Sequence, residues 1–273
     1  MSNMKYKLTE EHIERIRSRL SRSIERADIV FDKLLKEGKY SSLSRSISNH
    51  SSEFVQMSMI TYRIDNDIQE SKRYLDDAKN LVKRMQELHK TLELLENVEV
   101  GKDPNCIHPE FIESSIFLSL INRQLDDVNS LQVIYESVIT NKEGGFIFAQ
   151  QYSPILMIGA LDQKDAFHNA YKTFKEFKKS YFEQGLSLYI DMLAAIIDRD
   201  QEKFDELHLS AEAAMQDHAT DSKWGDDFMT GGHEYNDIAY DYRGTAMCCL
   251  AQLRGMQVNH FSSYYPKEII CAD

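Results

Sequence analysis

The chain has 273 residues, 42% of them hydrophobic and 28% charged, with 11 Gly, 4 Pro and a net charge of −12. That composition fits an ordered globular protein with a sizeable core and excludes a disordered one, and so little Gly and Pro leaves too few turns for an all-β fold. The acidity argues against nucleic acid or an anionic lipid surface as a partner.

Of the four cysteines, Cys106, Cys248, Cys249 and Cys271, two are adjacent inside an apolar helical stretch, and no Cys-x-x-Cys pair occurs. Adjacent cysteines make a poor staple, whereas buried free thiols are common. The N-terminus has no apolar signal core, and the longest apolar runs, Ile155–Ile158 and Met192–Ile197, fall far short of a membrane span. The expectation is a cytoplasmic protein that does not engage a membrane.

Ile13, Ile16, Leu20, Ile24, Ala27, Phe31 and Leu34 recur at intervals of three and four, the stripe of one amphipathic helix. Thr9 would cap it, with Glu10 and Glu11 in the first turn, and Gly38 would stop it. Arg15, Arg17, Arg19, Arg22 and Arg26 look like a nucleic-acid patch, but Glu14, Glu25 and Asp28 interleave with them. A self-neutralised, solvated helix face is the reading. From Lys39 to Val100 there is no Gly and no Pro, and a second stripe runs Leu75, Ala78, Val82, Met85, Leu88, Leu92, Leu95. The spacing predicts a long helical hairpin over 1–100. The serine-rich stretch Ser41–Ser52 is either its joint or itself helical.

The boundary falls at Gly101–Pro109, where His108-Pro109-Glu110 reads as the start of a helix, with Pro in its first turn. Beyond it, apolar helices end in Asp/Asn-rich turns and more polar helices follow. Phe111–Ile121 leads into Asn122–Asp127, Ile155–Leu161 into Asp162–Asp165, and Phe182–Ile197 into Asp198–Gln201, with Ser153-Pro154 opening the second. Landmarks about 40 residues apart suit helical-hairpin repeats. Residues 101–273 are therefore expected to form a repeat-like stack of αα-hairpins, as a second domain or continuous with the first. A last helix from about Asp237 to Arg254 is apolar on most sides, which predicts burial. Gly244 inside it suggests a close helix contact, Gly255 stops it, and the tail Tyr264–Ile270 is apolar enough to dock. The fold class predicted is all-α.

Acidity is concentrated. Residues 1–100 hold 18 basic and 17 acidic side chains, and residues 101–273 hold 14 and 27. Asp217, Asp221, Asp226, Asp227, Glu234, Asp237 and Asp241 face a single Lys223 within 25 residues. Such a field attracts cations and speeds encounter with a basic partner. These seven residues, together with Trp224, are the candidate partner-binding set. Trp224 either anchors that interface or folds inward.

The same stretch holds His218 and His233, and mixed His and carboxylate donors suit zinc, manganese or iron. His233-Glu234 resembles the start of a zincin helix, but Asp237 stands where the second histidine belongs. The plainer reading is a solvated acidic surface with no metal. No nucleophile elbow and no phosphate loop occur, so neither a catalytic residue nor a cofactor is assigned.

Asp241-Tyr242-Arg243-Gly244-Thr245-Ala246-Met247-Cys248-Cys249-Leu250-Ala251-Gln252-Leu253-Arg254-Gly255, followed by Tyr264-Tyr265-Pro266 and Ile269-Ile270, resembles the end of all-helical immunity proteins of bacterial polymorphic toxin systems. Immunity protein family forty-nine is the nearest in pattern, with its small-residue helix ending in Arg-Gly and its Tyr-Pro tail. The resemblance spans roughly the last 120 residues and does not reach the N-terminal hairpin. It implies a cytosolic, non-enzymatic protein that neutralises one cognate toxin, often a nuclease, and it transfers no contact residues. A nuclease must hold phosphates, so its active face is basic and an acidic surface can occupy it. An αα-repeat scaffold binding another protein is the alternative, and a helical metal-dependent hydrolase is the third reading.

Overall fold

The computed structural model describes residues 10–94, 109–138, 147–176, 181–220 and 240–271. Every regular element among them is a helix, and the fold is all-α. No described helix is long and apolar enough to cross a membrane.

The N-terminal stripe forms two helices, α1 (Glu10–Ile24) and α2 (Ala27–Lys36). Ile16 and Leu20 of α1 close a satellite core with Met57 and Ile60, whereas Phe31 of α2 belongs to the main core. The interruption at Glu25 and Arg26 re-aims one apolar stripe at two cores. Spacing does not register such a change of direction. Gly38 takes φ +64 after α2, where an L side chain would be strained.

The serine-rich stretch is helical, inside α3 (Tyr40–Ile60). Ser44, Ser48, Ser51 and Ser58 are buried beside Leu43, Ile47, Val55 and Met59, and such small side chains allow close helix approach. The Ser51 hydroxyl donates to the Ser48 carbonyl, and Ser58 pairs with Ser71, both at 2.8 Å. The chain reverses later, at a π-turn (Thr61–Asp65) followed by Asn66 at φ +55. There the Thr61 hydroxyl bonds back to the Met57 carbonyl at 2.7 Å. Asp67 caps α4 (Ile68–Leu94) by accepting the Glu70 N–H at 3.0 Å. The long hairpin is thus α3–α4, with α1 and α2 laid on α3.

The next helices are α5 (Pro109–Ile121), α6 (Leu125–Val138), α7 (Ile147–Ala160), α8 (Lys164–Glu176), α9 (Tyr181–Asp198) and α10 (Gln201–Thr220). Pro109 opens α5 as expected. Ser153-Pro154 opens nothing, because Pro154 lies well inside α7. An interior Pro costs about 3 kcal/mol, which a helix packed as tightly as Tyr152, Ile155 and Leu156 can absorb.

Three connections share one geometry. Arg123, Asp162 and Arg199 adopt φ of +57, +60 and +57. In each, that residue's N–H returns to the carbonyl three residues back and the next N–H to the carbonyl five back, as with Asp162 to Gly159 at 3.0 Å and Gln163 to Ile158 at 3.1 Å. Five positions past the left-handed residue stands a fully buried apolar side chain, Val128, Phe167 or Phe204. Gly38 and Leu43 stand in the same relation at the α2–α3 corner. The turn closes one helix, and its anchor seats the next.

The last long helix, α11 (Tyr242–Leu253), starts later than expected: Tyr240 is not helical, Asp241 is the N-cap, and residues 237–239 lie outside the described set. Gly255, at φ +77, ends it. The tail docks through Tyr265, Ile269 and Ile270, the last two in α12 (Lys267–Ile270). Residues 101–108 are not described, but helices on both sides of them share the main core, which runs from Phe31 to Ile270.

Met247 and Leu250 of α11 are fully buried. Leu250→Asp should abolish cooperative thermal unfolding followed by far-ultraviolet circular dichroism. An unpaired buried carboxylate costs several kcal/mol against a domain stability of about 5–15 kcal/mol. A soluble variant with the wild-type melting temperature would show that α11 is not core.

Candidate functional site

Asp221, Trp224, Asp226, Asp227, Glu234 and Asp237 lie outside the described residues, as does His233. Asp217 falls in the last turn of α10, where the helix but not the side chain is described. Asp241 is a correction. It has no exposed surface and cannot belong to an acidic face offered to a partner. Its carboxylate is engaged inside the protein, as the cap of α11.

Three elements converge on that carboxylate. The Tyr189 hydroxyl of α9 stands 3.1 Å from both oxygens, the Tyr265 hydroxyl of the tail donates to Oδ2 at 2.7 Å, and the Gly244 N–H donates to Oδ1 at 2.8 Å. The Asp241 N–H in turn bonds the Tyr264 carbonyl at 2.9 Å. Burial pushes the Asp241 carboxyl up, opposed by the Gly244 N–H, the two tyrosines and nearby Arg243. Arg243 pairs with Glu113 of α5 at 2.8 Å, both side chains largely buried. Next in sequence, the Tyr240 hydroxyl lies 3.0 Å from Ser58 of α3. A sequence does not announce partners 52 and 24 positions away. The one local signal, an Asp three residues before a Gly at the head of an apolar helix, is passed over when the helix is started at Asp237 and Asp241 is counted with the acidic face.

His208 of α10 is fully buried. Its ring stands edge-on to Tyr265 at 4.2 Å and to His260 at 5.7 Å, and its Nε2 lies 3.6 Å from Cys248 Sγ. Its Nδ1 has no hydrogen-bond partner among the described residues. Burial, with His260 adding, pushes His208 down to about 4, and burial pushes the Cys248 thiol up. A neutral imidazole beside a protonated thiol, both sealed from water, is core packing rather than a nucleophile and its base. Among the described residues, no three His, Cys, Asp or Glu side chains are grouped as metal ligands.

Three acids of the turns are engaged. Asp200 caps α10 through the Lys203 N–H at 3.0 Å, Asp198 meets Lys164 at 3.2 Å and His168 at 3.1 Å, and Asp162 receives Arg199 and Arg254 at 3.3 and 3.2 Å. The outer face of α10 differs. Phe204, Leu207, Ala211 and Met215 point inward, which turns Glu202, Glu206, Ser210 and Ala213 to solvent around Leu209, itself 51% exposed. Lys203 answers one of the two charges, pairing with Glu206 at 2.7 Å. Glu212 takes no part in that face, because it is buried against His260. The spacing of Glu202, Glu206 and Leu209 was visible in the sequence, but the denser cluster after Thr220 drew the assignment.

Comparison with protein-family models, with curated proteins and with solved structures finds no match.

Two outcomes follow from the buried groups. A methyl group on Gly244 would overlap the Asp241 carboxylate and come within 2.5 Å of the Tyr265 ring. Gly244→Ala should therefore destabilise by about 1–3 kcal/mol despite its gain in helix propensity, measured by urea unfolding. The second concerns pH. The folded-state pKa of His208 lies below its ordinary 6.5, so between pH 6.5 and about 4 the unfolded chain takes up a proton that the folded one refuses. Stability contributed at neutral pH is lost as pH falls through that window, by up to about 3 kcal/mol. Asp241, raised instead of lowered, works in the opposite sense on acidification. His208→Phe should flatten the dependence of the urea midpoint on pH between 7 and 5, and an unchanged slope would assign it to other groups.

Proposed function

We propose that this protein binds a basic protein partner and carries out no catalysis, neutralising a cognate toxin in the manner of the helical immunity proteins that its C-terminal stretch resembles. The observation that carries the reading is the outward face of α10. Leu209 and Ala213 are exposed on it, with Glu202 and Glu206 exposed on the turns before them. Beyond them the chain continues from Thr220 into residues 221–239, with five acids and one lysine. An apolar contact flanked by like charges is the usual anatomy of a steered interface, with a dry centre and a charged rim. Asp162, Asp198 and Asp200 at the turns offer no such surface, since caps and ion pairs already occupy them. Relative to the sequence reading, the surface loses Asp241 and extends back along α10.

The test is co-expression with the product of the adjacent reading frame, followed by association kinetics on the purified pair. Two charge reversals divide the surface: Glu202 and Glu206 to Lys on α10, and Asp226, Asp227 and Glu234 to Lys beyond it. Both should leave the melting temperature near that of the wild type. Each should slow association about threefold to tenfold at low salt, with the difference shrinking above 0.1 M salt, where charges further apart than about 10 Å are screened. Wild-type protection and wild-type rates in both variants would remove the interface from this surface.

A further inference from the structure

Helices α1 and α2 pack on α3, as does α4, and a cleft of about 450 Å³ remains between them over Phe54. Its size is within the range of about 300–1,000 Å³ typical of small-molecule sites. Two ion pairs hold its walls in place. Arg17 of α1 grips Asp65 with both guanidinium nitrogens, at 2.7 and 2.8 Å, and Arg84 of α4 reaches Asp28 of α2. The floor is aromatic, with the Phe54 and Tyr74 rings tilted together at 6.4 Å.

The two arginines of the cleft are already neutralised. Arg73 lies 4.8 Å from the centre of the Tyr74 ring and bonds both oxygens of Glu70. Arg84 lies 4.2 Å over Phe31 and is taken by Asp28. Two carboxylates remain. Glu25, at the break between α1 and α2, has no ion-pair partner among the described residues, and Asp77 of α4 receives only a 3.4 Å contact from the Arg73 already bound to Glu70. One unpaired carboxylate and one held only by a shared arginine, in a cleft lined by a pair of rings, suit a positive charge carried on an apolar body. An anion would meet both carboxylates, and a neutral apolar molecule would leave them desolvated without a partner.

We propose that this cleft binds a small organic cation, an amine, amidine or guanidine borne on an aromatic or short aliphatic body. The site is separate from α10, and it stands or falls independently of the partner reading.

Titration of the full chain with benzamidine and with agmatine, followed by amide chemical shifts, tests it, with benzoate and benzyl alcohol as matched anion and neutral molecule. At least one cation should bind saturably, with shifts confined to the cleft, and both controls should bind about tenfold more weakly or not at all. Glu25→Gln and Asp77→Asn should each weaken the cation about threefold to tenfold while leaving the melting temperature unchanged. Glu202→Gln on α10, which removes the same charge elsewhere, should leave the affinity as it was. The proposal is overturned if neither cation saturates in the millimolar range, if benzoate binds as well, or if Glu202→Gln weakens binding as much as Asp77→Asn. That last result would mean attraction to a chain of net charge −12 rather than a site.

Discussion

A carboxylate taken out of water must find its hydrogen bonds inside the protein, and at Asp241 every bond comes from a different part of the fold. Tyr189 brings α9, Gly244 brings the first turn of α11, and Tyr265 brings the tail. A charge in such a place is a poor source of net stability, because desolvation offsets much of what its partners return. It is a strict source of geometry. Losing any one donor leaves the buried carboxylate a hydrogen bond short, and a bond to a charged group is worth about 1.5–3 kcal/mol. The tail held by Tyr265 also clasps the N-terminal hairpin, where the Tyr62 hydroxyl donates to Glu268 and Arg63 to the Ser263 carbonyl, each at 2.9 Å. With Tyr240 on Ser58, the residues around Asp241 join the helices before residue 101 to those after 108.

At the turns, a second constraint acts through the backbone. A left-handed residue ends each helix by satisfying its last carbonyls, and the buried side chain five positions on fixes where the next helix lands. Arg123 and Arg199 take that conformation without being Gly or Asn, so local strain is accepted in exchange for a useful side chain. Arg123 reaches Gln252 and the Ile270 carbonyl, and Arg199 reaches Asp162, which Arg254 also holds. The same residues shape the turn and tie it to α11 and α12.

What could be read from the sequence follows from which of these constraints are local. Pro109 opening a helix, the left-handed stops at Gly38 and Gly255, the Asp-rich turns and the docking tail are decided within a few residues, and they were legible. The division of the first stripe between α1 and α2 was not, because Phe31 and Leu20 obey the same spacing while serving different cores. The reversal at Thr61 also escaped. It uses a threonine back-bond and a left-handed Asn instead of Gly or Pro, in a stretch whose serines looked like the better joint. Asp241 was misplaced for the opposite reason. Summed charge treats all carboxylates alike, and only tertiary contacts separate an engaged charge from an available one.

That separation bears on function more than the net charge does. Carboxylates at Asp162, Asp198, Asp200 and Asp241 each have a cation, an N–H or a hydroxyl to meet, and their acidity is a by-product of building turns and caps. Helix α10 carries both kinds. Glu212 turns inward to His260, whereas Glu202 and Glu206 stand in water on the side that exposes Leu209, and Lys203 balances only one of that pair. An exposed leucine alone is ordinary, and so is an exposed glutamate. Their combination on the one helix that leads into residues 221–239 makes the outer face of α10 and the acidic segment a single continuous run of chain. On the described part of that run, Glu202 is the charge that Lys203 leaves unanswered, and it is such unanswered charges, rather than paired ones, that contribute a field at a distance.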